Sequence, residues 1–62
     1  MARSSHIQAP PDSPSARVAD RLTAHARLCR QIALASWNED SARALEAMAA
    51  DCDRAAACAR AL

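Results

Sequence analysis

From Ser13 onward, apolar residues recur at intervals of three and four. The pattern breaks once, at Ser36-Trp37-Asn38-Glu39-Asp40, and then resumes at the same spacing. This interval brings side chains to one side of an α-helix. It predicts a first helix over about 14–36, a bend at 36–40 and a second helix over about 39–61. On the first helix Val18, Leu22, Cys29, Ala33 and Ser36 form the predicted buried stripe, flanked by Ala26 on one side and by His25, Leu28 and Ile32 on the other. Arg17, Asp20, Thr23, Arg27, Arg30 and Gln31 fall mostly on the opposite side, as a solvated face requires. On the second helix Ala42, Leu45, Met48, Ala49, Cys52, Ala56 and Ala59 share a face, with Arg43, Glu46, Asp53 and Arg54 around the rest.

The ends of both helices are written in local chemistry. Ser13 before Pro14 is a start signal: the serine oxygen can accept from an unpaired N–H of the first turn, and proline at the first helical position gives up an N–H that has no partner there. Asn38 is the corresponding cap of the second helix, and Glu39 and Asp40 set negative charge against the positive end of its dipole. The chain contains no glycine, so the first helix ends without the usual left-handed glycine. Ser36 or Trp37 is expected to take that turn conformation or to follow a loosened last turn.

Two helices of equal length joined by a few residues pack antiparallel. The fold class is therefore an all-α, two-helix hairpin over 13–62. Residues 1–12, with Pro10, Pro11, two serines of their own and no apolar period, form an arm predicted to be disordered. A hairpin of this size buries one stripe per helix, and a second copy would complete a four-helix bundle, coiled-coil-like in its packing.

Composition narrows the function classes. The chain is 52% apolar by a count that includes alanine, yet Trp37 is its single aromatic residue. Every basic residue is arginine, which with the alanine content points to a genome rich in G and C. A formal net charge of +1 falls far short of the basic excess of a protein dominated by phosphate contacts. No run approaches the roughly 20 apolar residues that span a bilayer, and no signal-peptide core follows the N-terminus; a cytoplasmic location is expected.

Candidate chemistry is sparse. Cys29, Cys52 and Cys58 are an odd number without a paired C-x-x-C spacing, which argues against a disulfide framework and fits a reducing compartment. His25 and Cys29 stand one turn apart, as two metal ligands on a helix do, with Cys52 across the hairpin near the level of His25. No fourth ligand accompanies them, and a metal or redox protein using Cys29, Cys52 and His25 is the third choice. Asp51 and Asp53 point to different sides of their helix and form no acid/base pair. Without glycine there is no glycine-built phosphate loop, and an enzyme is not expected. Arg17, Arg21, Arg27 and Arg30 could meet a nucleic-acid backbone, although Asp20 interrupts them. This nucleic-acid-binding regulator is the second choice.

The segments Arg27-Leu28-Cys29-Arg30-Gln31-Ile32-Ala33 and Ala44-Leu45-Glu46-Ala47-Met48-Ala49-Ala50-Asp51-Cys52 resemble a group of small uncharacterised alphaproteobacterial proteins. Those carry an A-x-x-C-R-x-[LI]-A first helix, a bend with Asp or Asn, and an L-x-x-[LM]-A second helix. The resemblance covers about residues 17–58 and departs at Glu39, where such proteins often have proline. It implies a helical hairpin and no particular activity.

The first choice is a bacterial, cytoplasmic, non-enzymatic protein-interaction or adaptor module without a cofactor, self-associating as a homodimer or docking on a partner protein. Its expected interface is Val18, Leu22, Cys29, Ile32, Leu45, Met48 and Cys52. Leu34, which points away from the stripe, and Trp37 at the bend are left over. Trp37 is expected either to cover the end of the core or, with Leu34, to anchor a different protein.

Overall fold

A computed structural model describes residues 13–62. The arm over 1–12 lies outside the described residues. Two helices make up the described part, α1 over Pro14–Ala35 and α2 over Glu39–Ala61, and they pack against each other as an all-α hairpin.

The caps form with the partners their residues imply. Ser13 is extended and its hydroxyl accepts from the Ala16 N–H at 3.2 Å, with Pro14 opening the helix behind it. Asn38 Oδ1 accepts from the Ser41 N–H at 2.9 Å, and Glu39 and Asp40 occupy the first turn of α2. Each cap satisfies an N–H that the helix itself leaves unpaired.

The exit from α1 differs from expectation. No described residue has a positive φ. Ser36 leaves the helix in an extended conformation, φ −82° and ψ 133°, while its N–H bonds the Ala33 carbonyl at 3.2 Å. A tightened last turn followed by extended chain replaces the left-handed residue, and the absence of glycine then costs no steric strain. The Ser36 hydroxyl donates to the Asn38 carbonyl at 3.3 Å, tying the bend to the start of α2.

The interior is made of small residues. Ala19, Ala26, Cys29 and Ala33 on α1 and Ala49 and Ala56 on α2 are buried, and no large side chain among the described residues is fully enclosed. At the centre Ala26, Cys29 and Ala49 form one cluster with Leu45 and Cys52 packed against it. Ala19, Ala26 and Ala33 recur every seventh residue, as do Ala42, Ala49 and Ala56. Seven residues are close to two helical turns, so each trio forms a line along its helix. Counted from the bend, the two lines are in register, Ala19 level with Ala56, Ala26 with Ala49 and Ala33 with Ala42. Small methyl groups at every rung allow the two backbones to approach closely.

This centre line lies roughly 50° round α1 from the middle of the predicted stripe. Val18, placed inside that stripe by its hydrophobicity, is half exposed, while Ala19 beside it is fully buried. Close approach selects the smaller residue. A branched side chain at the contact line would hold the helices apart.

Candidate protein interface

The alanine seam divides the surface of the hairpin into two flanks of opposite character. On one flank Arg30 donates from Nη2 to Asp53 Oδ2 at 2.8 Å and stands 3.9 Å, Nε to Oε1, from Glu46. Further along, Arg60 Nη2 donates to Thr23 Oγ1 at 3.2 Å and to Asp20 Oδ1 at 3.5 Å. Each of these contacts runs from one helix to the other. The hydrogen bond to Asp53, and then the attraction of its charge, hold the Arg30 guanidinium more firmly protonated than usual. Arg30 is therefore engaged within the hairpin itself.

The other flank is mainly apolar. From α1 it receives Val18, Leu22, His25, Leu28 and Ile32, and from α2 Leu45, Met48, Cys52 and the alanines Ala55 and Ala59. Val18 is 50%, Leu28 50%, Ile32 46% and Met48 47% exposed. Leu22, Leu45 and Cys52 are half-buried, lying nearer the seam. These residues lie along one side of the hairpin, partly or largely open to solvent.

The structure thus separates the expected interface residues into three places. Cys29 is within the seam. Leu22, Leu45 and Cys52 line its edge, and Val18, Ile32 and Met48 face outward on the apolar flank. Leu34 and Trp37 belong to neither, being 85% and 100% exposed. Complete exposure of Trp37 overturns its expected role as a cover for the end of the core.

The thiols are free, with Cys29 buried, Cys52 half-buried and Cys58 exposed. His25 is exposed. Among the described residues no group of three or more His, Cys, Asp or Glu side chains is placed to hold a metal ion. Asp51 pairs with Arg54 one turn along the same helix, and both are largely exposed. Arg21 is exposed and forms no ion pair within the described residues. No described helix is long and apolar enough to cross a membrane.

Two features escape a reading weighted by hydrophobicity. One is the seventh-residue alanine repeat, which is legible when small residues are scored for recurrence instead of for apolarity. The other is the reach of Arg60 across the hairpin to Thr23 and Asp20, which depends on the register of the two helices. No protein-family model matches the chain, and no match to it was found among curated proteins or among solved structures.

Proposed function

We propose that this chain is a small, non-enzymatic, cytoplasmic protein-interaction module that self-associates through its apolar flank into a homodimeric four-helix bundle. The observation that carries this reading is that no large side chain among the described residues is fully buried, while Val18, Leu28, Ile32 and Met48 on one flank remain half open. Burying a methyl-sized group contributes about 0.8 kcal/mol, against about 1.5–3 kcal/mol for a whole Val, Leu, Ile or Met side chain. The seam draws on the smaller figure. The larger one is available only when the flank is covered. The kinship implied by the Cys29-Arg30 and Leu45-x-x-Met48-Ala49 motifs belongs to the same proposal, as shared hairpin architecture.

Sedimentation equilibrium over a hundredfold concentration range tests the reading, with reductant present so that the exposed Cys58 does not cross-link chains. A reversible dimer with full helicity is expected. A helical monomer at every concentration would overturn self-association and leave the flank to a different protein.

A further inference from the structure

The two halves of the hairpin are held by different chemistry. Near the centre Ala26, Cys29 and Ala49 pack with Leu45 and Cys52, and Arg30 of α1 reaches Glu46 and Asp53 of α2. Past Asp53 the composition of α2 changes. From Arg54 to Ala61 its apolar residues are five alanines and Cys58. Cys58 is exposed, as is Leu62 behind them. Ala56 is the buried residue of this stretch, level with Ala19, and Ala59 is half-buried. Burying a methyl group yields a fraction of what a leucine or methionine yields, so residues 54–61 have little apolar surface with which to hold themselves to α1.

Arg60 lies at the far end of that stretch. Counted from the bend it is level with Ser15, yet its Nη2 meets two acceptors nearer the bend, Thr23 Oγ1 at 3.2 Å and Asp20 Oδ1 at 3.5 Å. The side chain leans back along α2, as helical side chains do. Thr23 and Asp20 are three residues apart, so one guanidinium group spans a turn of α1. Arg60 and Asp20 are both more than half exposed, and the contact is open to water and ions.

We infer that residues 54–61 are a latch: this end of α2 leaves α1 as a unit while the centre of the hairpin stays paired, and the contact of Arg60 with Asp20 and Thr23 sets how often it does so. Opening uncovers Ala19 and Ala56, which are 0% and 2% exposed in the closed hairpin. A helical stretch this short is not stable alone in water, so on leaving α1 it gives up its backbone hydrogen bonds as well. Ionic strength tunes the latch, because exposed charges are screened over about 8 Å at physiological salt. The device belongs to a single hairpin, with or without a second copy.

Amide hydrogen exchange followed by NMR on the full chain reads the latch residue by residue. Amides of residues 57–61 should exchange at least roughly tenfold faster than those of residues 45–52, because opening the end leaves the centre closed. Equal rates would mean that the hairpin opens as a whole, and would overturn the latch. Fraying within α2 alone also quickens exchange at its end, and Arg60 itself favours a helix C-terminus through its charge. The decisive variant therefore lies on the other helix. Asp20→Arg sets a like charge against Arg60, and exchange at 57–61 should quicken roughly two- to fivefold while 45–52 stays unchanged. In an Arg60→Asp background the same substitution supplies an opposite charge, and exchange at 57–61 should slow by a similar factor. Both effects should fade in about 0.5 M salt. An effect of Asp20→Arg with the same sign in both backgrounds, or no effect in either, would assign the end of α2 to local fraying and overturn the latch.

Discussion

The two flanks of the hairpin flank the same alanine seam and solve opposite problems. On the polar flank, Arg30 and Arg60 reach from one helix to acceptors on the other, and the helices are tied together while the side chains stay hydrated. On the apolar flank Val18, Ile32 and Met48 lie over the seam with their outer halves uncovered. Ion pairs in water contribute little net stability, so the polar flank sets the register of the helices more than it holds them together. Covering the apolar flank yields the larger free energy, and on the proposal above a second copy provides that cover. One flank therefore serves the chain's own geometry. The other is available for association.

This contrast can be broken most severely at the margin between seam and apolar flank. Leu45 is half-buried against the Ala26, Cys29 and Ala49 cluster, and Leu45→Asp places a charge against that apolar cluster. Loss of helicity by circular dichroism, or of the dimer by sedimentation, is the expected result; a variant unchanged in both would remove Leu45 from the packed centre. A smaller effect is expected from the double truncation Ile32→Ala with Met48→Ala, which strips the outer flank and spares the seam. It should shift the monomer–dimer midpoint upward by more than tenfold in concentration. If only thermal stability fell while the dimer constant stayed fixed, these side chains would belong to the fold and not to the association.

The smallest effect belongs to the polar flank. Arg30→Ala removes the contacts to Asp53 and Glu46 and should lower the thermal midpoint less than either change above, leaving dimerisation intact. The difference between variant and original should shrink in high salt, because exposed charges are screened over about 10 Å at 0.1 M ionic strength. A salt-independent loss as large as that of the apolar truncation would erase the distinction between the flanks.

Much of this architecture is legible along the chain. Ser13-Pro14 and Asn38-Glu39-Asp40 are start signals with their own mechanism, and each finds a partner within three residues. The face of α2 is largely legible: Ala42, Leu45, Ala49, Cys52, Ala56 and Ala59 share it and are at least half-buried, while Met48, expected among them, is 47% exposed. The face of α1 is less so, because hydrophobicity favours Val18 over Ala19 when the contact line needs the residue with the shorter side chain. The surface role of Trp37 is hidden for a related reason. Its apolar area suggests a cover, but the distance between the ring and the end of an alanine seam is a property of the packed pair.

What the sequence by itself determined is the local part: two helices, their caps, the bend and the antiparallel pairing that a short bend imposes. These depend on residues within three or four positions of one another, where hydrogen bonds and side-chain spacing act on a nearly one-dimensional object. Tertiary structure alone decided the rotation of each helix about its axis, and with it which residues are buried, tied or left open. That rotation is a compromise between the two helices. It is set by how near two backbones can come, and the alanines of one line count only when they are level with the alanines of the other.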